Sequence, residues 1–520
     1  MKRLLRIALA AMMLAAFALA SACGTKEDVI PNDENNLEIF VLDAGYGDKF
    51  VEELGKAFEA LPGNSGKKVW VRSAVAFGQG ELKLTSGATA DLIIDAIGDY
   101  RKLLTMRNNK LPAGAVGLIA DLTDVYNSPA YGETELIKDK MNRSFTDVFA
   151  DGSGAQTKFY AFPWANDPNG LVYDKKFFTD NGISVPRTTD ELVEVCDLIL
   201  TKPGQTKPLI WAGGVGYWKY LTQVWWAQYE GLDNYLKFFN PDTNLDPVEF
   251  LQDGRLESLK ALDKLINGQS STIRNYSVAG SLSANFTQAQ MDFLGGKAAM
   301  IPNGGWIENE MKGNYAPGSK NIAVMKTPIV SSLAAKLGIT ETELRAVVDY
   351  ADNTASAKPA ITPTGSLNAD AVIDYIVEAR KFVYSSAAEE VALVASYSPA
   401  IELAKNFLRF MASDAGIAIA RQHAGILLPY DYDMDAITGL TDFQKSKRDV
   451  MKNAYFIMDG YQHSLFYKAG LLTYNQHKYQ EQKLGAQSST DYKSPQTIVN
   501  EEYDWVYSRW DNLKTTAGVN

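Results

Sequence analysis

The chain has 520 residues, 46% hydrophobic and 22% charged, a composition that suits a globular protein with sizeable cores and excludes wholesale disorder. Its 62 acidic residues outnumber 51 basic ones, and the resulting charge of -11 repels phosphate backbones, which sets nucleic acid aside as a partner. Two cysteines and three scattered histidines (His423, His463, His477) supply neither a disulfide framework nor a metal cluster, so no cofactor or metal is expected.

In chain order, Lys2, Arg3 and Arg6 precede the uncharged run 7–20. That run is shorter than the roughly 20 residues of a spanning helix, and it ends in Ala20-Ser21-Ala22 before Cys23. A secretory leader over 1–22 is expected, cut so that Cys23 becomes the first residue. The polar stretch to residue 36 reads as a flexible tether. Leu37–Leu42 predicts a strand, Asp43–Asp48 a turn, and Phe50, Leu54, Phe58 and Leu61 a helix. Val69–Val71 and Asp91–Asp95 predict two further strands, and the alternation of strands with helices points to a parallel sheet. Beyond Phe162-Pro163-Trp164 comes a strand at Gly170–Tyr173. Thr188 and Glu191 predict a capping box opening the helix that carries Cys196, read as a buried small hydrophobe. Aromatic-rich residues from about 217 predict another helix. Ala298–Pro302 predicts a strand running into the turn Asn303-Gly304-Gly305-Trp306. Helical patches follow at Ala371–Val383 and around Leu403–Met411.

Four of these stretches, in this order, resemble the extracellular solute-binding proteins of carbohydrate ABC importers, the family of the maltodextrin-binding proteins. They are Ile39–Phe58; Ala161-Phe-Pro-Trp-Ala-Asn-Asp-Pro-Asn-Gly-Leu-Val-Tyr with the helix beyond it; Phe293-Leu-Gly-Gly-Lys-Ala-Ala-Met-Ile-Pro-Asn-Gly-Gly-Trp; and Ala404–Ser413. Ala-Ser-Ala-Cys is similar to a bacterial lipobox, although Ala20 stands where Leu is usual. The resemblance implies an α/β fold of two lobes with a ligand cleft between them. Lobe 1 would hold 37–163 and 328–428, with a helical insertion at about 331–390; lobe 2 would hold 164–327 and 429–520. Crossings are expected near 162–167, 325–328 and 427–430. The implied function is capture of a sugar or oligosaccharide by a monomer held at the membrane through lipid on Cys23. Delivery would be to the permease subunits of an ABC transporter, without catalysis.

Six of the nine tryptophans lie between 164 and 306. Flat aromatics cover the apolar C–H face of a pyranose, while carboxylates and amides bind its hydroxyl rim. Trp164, Trp218 and Trp306 are therefore candidate platforms, with Asn303 in the turn. By motif, Trp306 matches the family's platform, Asn166 and Asp167 its first-hinge contact, and Asp43 and Tyr46 its first strand–helix loop. Asp95 matches a position near which the family often carries an aromatic; this chain has none there. Gly63–Lys68 lacks the spacing of a phosphate loop and Gly213–Gly216 that of a dinucleotide fingerprint. Asp431–Asp442 departs from a calcium loop at Ala436 and Asp442. Glu308 and Glu310, two apart on a helix, diverge and do not form a glycosidase pair. A secreted carbohydrate-active enzyme, or a binding protein for peptide or polyamine, stays open as an alternative.

Overall fold

The computed structural model describes residues 29–519 apart from 116, 153, 205, 240–250, 431–437, 460–462 and 472–473. The expected leader, Cys23, the start of the tether and most of the acidic 431–442 loop lie outside the described residues. The strands are β1 Asn36–Leu42, β2 Lys68–Ala74, β3 Leu92–Ala96, β4 Phe162–Pro163, β5 Pro168–Asp174, β6 Lys207–Leu209, β7 Ala298–Asn303, β8 Ile322–Val324, β9 Phe382–Ser385, β10 Glu390–Val394 and β11 Tyr455–Ile457.

They form two sheets, one ordered β2-β1-β3-β10-β4 and the other β11-β9-β5-β7-β6, with β8 paired to β5. In the first sheet β1 pairs in parallel with both β2 and β3, Ile39 lying opposite Val71 and Leu92. The run from Leu37 to Leu42 is buried throughout, as a parallel strand covered by helices on both faces must be. The helix Lys49–Glu59 turns Phe50, Leu54 and Phe58 inward at helical spacing. Gly55 lets it close on β2: a Cβ there would stand 2.9 Å from Val69 Cγ1. In the second sheet β5 is the shared strand, pairing antiparallel with β9 at Pro168–Asn169, with β7 at Gly170–Tyr173 and with β8 at Val172–Asp174.

Two local expectations need correction. Thr188 does cap the helix Thr189–Leu200, but the Glu191 carboxylate accepts from the Arg187 N–H and guanidinium instead of closing a box on Thr188. The helical patch expected to reach Val383 stops at Ala379, and Phe382–Ser385 extend as β9, where β-branched and aromatic side chains pack well between β5 and β11.

The chain passes between the sheets at Trp164–Asp167, at Ser386–Glu389 and at Gly425–Tyr430. A crossing was expected at 325–328, but β8 and β9 both pair with β5, so no switch of sheet falls there. Residues beyond β8 instead stay with the second sheet. Arg187 pairs with Asp349, Thr188 bonds Glu341, the Ser331 N–H donates to Thr189 Oγ1, and Trp225 Nε1 donates to Pro328 O at 3.0 Å. The helices Ser332–Leu337, Glu341–Ala351 and Ala369–Ala379, with β9, thus pack on the second-sheet side, not on lobe 1 as the sequence suggested. The crossings are tied together: Asn166 N–H donates to Leu427 O at 2.8 Å and Ser385 Oγ to Asn166 Oδ1 at 3.0 Å.

Candidate binding cleft

The loops at the carboxyl ends of β1, β2 and β3 face the second sheet across a cavity of about 900 Å³. That is where ligands sit in open α/β sheets, and the size falls within the ~300–1,000 Å³ of ligand pockets. The first sheet contributes Gly45 and Tyr46 after β1, Phe77 after β2, and Gly98 and Asp99 after β3. The facing side contributes Tyr217, Lys219, Tyr220, Trp306 and Glu310, the crossings contribute Trp164, Ser386 and Glu389, and Glu390 opens β10.

Trp306 owes its position to the two glycines before it. A Cβ at Gly304 would lie 2.3 Å from the Trp306 ring, and one at Gly305 would lie 2.5 Å from Asp167 Cβ. The indole thus folds back over its own turn rather than projecting beyond the strand end. It is 9% exposed, and the rings of Tyr46, Tyr217 and Tyr220 stand around it at 6.1–6.3 Å, each close to perpendicular. Trp164 lies flat on Phe50, centroids 5.6 Å apart at 18°, and its Nε1 donates to Asp95 O at 3.4 Å. Tyr46 meets it edge-on at 5.6 Å and donates its hydroxyl to Asp167 Oδ2 at 2.7 Å. Burial, with Asp167 adding, pushes the Tyr46 phenol well above its ordinary pKa. Asn309 Nδ2 donates to Gly45 O at 2.7 Å, so the two sides touch at one rim of the cavity.

Charge is distributed unevenly. Lys219 Nζ donates to Glu389 Oε1 at 2.7 Å and to Asp459 Oδ2 at 3.2 Å. Burial opposes ionisation of Asp459, yet Lys219, His477 and the Tyr384 hydroxyl hold its pKa below the usual carboxylate value. Glu390 is pushed up to about 8 by burial, with Asp167 and Glu389 adding and the Ser386 hydroxyl at 3.0 Å working the other way. Burial likewise raises Glu310, against the Gln290 amide at 2.7 Å.

Of the nine ligand-contact candidates from the sequence, Tyr46, Trp164 and Trp306 converge on this cavity. The other six do not line it. Asp43 stays in the turn after β1, its N–H on Ala74 O. Asp95 is fully buried, its carboxylate taken by the N–H groups of Gly80 and Ala96. Asn166 and Asp167 are built into the crossings, and Asp167 accepts from Lys447 Nζ at 2.9 Å. Trp218 is wholly interior, and its backbone N–H donates to Glu481 Oε1 at 2.6 Å. Asn303 folds its Oδ1 onto Gly304 N–H. Tyr217 and Tyr220, three apart and sharing one face, stand where Trp218 was expected. Their Tyr-Trp-Lys-Tyr setting was the available signal. Lys219, Glu310, Glu389 and Glu390 had none.

Residues 44–418 match the model of the bacterial extracellular solute-binding protein family, and the chain belongs to that family. The diacetylchitobiose-binding protein NgcE of Streptomyces coelicolor is 26% identical over 332 residues, covering 60% of this chain; the chain spans 64% of that relative's length. Two solved structures share the fold across nearly their whole length. RafE of Streptococcus pneumoniae is 15% identical, the match covering 93% of this chain and 99% of RafE with a TM-score of 0.59. The GacH receptor of Streptomyces glaucescens is 15% identical, covering 92% and 98% with a TM-score of 0.58. The architecture is the two-lobed one of solute-binding proteins.

Proposed function

We propose that this protein captures a sugar or oligosaccharide outside the cell and hands it to the permease of an ABC transporter, tethered by lipid on Cys23. The observation that carries the reading is the wall formed by Trp164, Trp306, Tyr46, Tyr217 and Tyr220 in a cavity with carboxyls at its edge. Such a wall suits the apolar face and polar rim of a pyranose. Membership of the family supports capture and delivery. NgcE is described as binding diacetylchitobiose, RafE has been solved with raffinose and GacH with acarbose, all saccharides or close analogues. Trp306 and Trp164 would serve as platforms, with Tyr217, Lys219, Glu310 and Glu389 on the hydroxyl rim. Asp167 would act from behind, by holding Tyr46. Among the described residues no cluster of His, Cys, Asp or Glu is arranged to hold a metal ion, and no helix is long and apolar enough to cross a membrane.

Calorimetry against an oligosaccharide panel tests this reading, with product analysis after long incubation. Saturable binding with the sugar recovered intact supports it. Conversion of the sugar would replace it with a carbohydrate-active enzyme; binding of a peptide or polyamine alone would replace the ligand.

A further inference from the structure

The carbohydrate reading explains the aromatic wall but not the charge on it. Among the described residues, carboxyls outnumber cations in the lining: Asp99, Glu310, Glu389 and Glu390 against Lys219 and Lys468. Lys219 is already engaged by two carboxylates, Glu389 and Asp459. Lys468 is exposed. Asp99 has Lys102 at 3.0 Å. Among the described residues, Glu310 and Glu390 have only neutral side-chain hydrogen-bond donors, Gln290 Nε2 and Ser386 Oγ. Around Glu390 stand Ser386, Glu389 with its partner Lys219, Asp167 with its partner Lys447, and the phenol of Tyr46. Both cations in that group are committed elsewhere.

Resting on the carbohydrate reading, we propose that the cavity prefers a saccharide bearing a basic amino group over its neutral counterpart and rejects one bearing a carboxylate. A half-buried carboxyl with no cation beside it favours its neutral form, and a cation brought beside it restores the charged one. The ammonium of an amino sugar, seated near Glu390 or Glu310, gains an attraction that a hydroxyl or acetamido group lacks. The proton displaced from the carboxyl leaves to solvent. A uronate in the same place brings no cation to ionise the carboxyl and must itself be desolvated without a partner.

The test uses matched triplets of β-1,4- and α-1,4-linked disaccharides of gluco and galacto configuration, identical except for an amino, a neutral or a uronate group. Titrations are run at pH 6 in two buffers of different ionisation enthalpy. We expect the amino member to bind at least about tenfold tighter than the neutral one, with a buffer-dependent enthalpy from the released proton, and the uronate at least about tenfold weaker. The Glu310→Gln/Glu390→Gln variant, checked for an intact melt, should lower the amino-to-neutral affinity ratio by about tenfold. An amino member no tighter than the neutral one, or a ratio unchanged in the variant, overturns the preference and leaves the carbohydrate reading standing. Failure of every member to bind removes the carbohydrate reading, and this preference with it.

Discussion

Lys447 donates to Asp167 at 2.9 Å across 280 residues of sequence, and both side chains are shut away from water, 2% and 0% exposed. The same ammonium also donates to Gly305 O at 3.0 Å and Gly425 O at 3.1 Å. It therefore joins the first crossing, the turn that positions Trp306, and the third crossing. Asp167 in turn takes the Tyr46 hydroxyl. One buried pair thus fixes the relation between the crossings and two aromatics of the cavity wall.

Removing one partner strands the other's charge in the interior, which typically costs about 3–5 kcal/mol. Lys447→Met should therefore lower stability by about that amount in chemical denaturation. A change below about 1 kcal/mol would mean that the crossings do not depend on this pair.

Trp306 can be tested on two separate axes. Stacked on a sugar, the indole would supply about 1.5–3 kcal/mol by burial of apolar surface. Trp306→Ala should thus weaken carbohydrate binding by on the order of ten- to a hundredfold. If the ring instead serves the fold alone, truncation costs about 3–5 kcal/mol of stability and leaves affinity intact. Calorimetry and a melt without sugar tell the two apart.

Glu390 should leave a mark on the pH profile. Burial pushes its carboxyl up to about 8 in the folded protein, from an ordinary value of 4.5. The folded state holds this proton where the unfolded chain has lost it, so the contribution is full below about 4.5 and is lost as pH rises through about 8. Asp91, raised to about 6 by burial, acts in the same direction. The diagnostic is therefore the difference: between pH 5 and 8 the melting temperature of wild type should fall more steeply than that of Glu390→Gln. Parallel profiles would show that Glu390 ionises freely.

Lipid on Cys23 predicts that Cys23→Ala is released from membranes in soluble form. Membrane attachment as firm as wild type would contradict the anchor.

How much of this was legible in the sequence depended on range. β1 and β3 announce themselves as apolar runs, because buried parallel strands are hydrophobic on both faces. The glycines before Trp306 mark a turn for a local steric reason. What escaped was made by distant partners. Nothing near Lys447 hints that it serves Asp167. Asp167 and Asn166 look like exposed hinge polars until Lys447, Tyr46, Ser385 and Leu427 consume them. The second crossing was placed at Met325–Pro328 by the family resemblance, not by any local signal. The chain crosses instead at Ser386–Glu389, where a single buried turn of 3-10 helix, Ser386–Ala388, is too short to show a periodicity. Trp218 was taken as one of the clustered tryptophans, yet at the start of the helix Lys219–Glu230 its side chain is interior while Tyr217 and Tyr220 line the cavity.

The measurement that bears most directly on the account is a crystal structure with the tightest saccharide from the binding panel. The account predicts a sugar ring in the cavity, its C–H face against Trp306 or Trp164 and its hydroxyls toward Lys219, Glu310 or Glu389. A saccharide bound elsewhere, with these aromatics still packed only on one another, would contradict it.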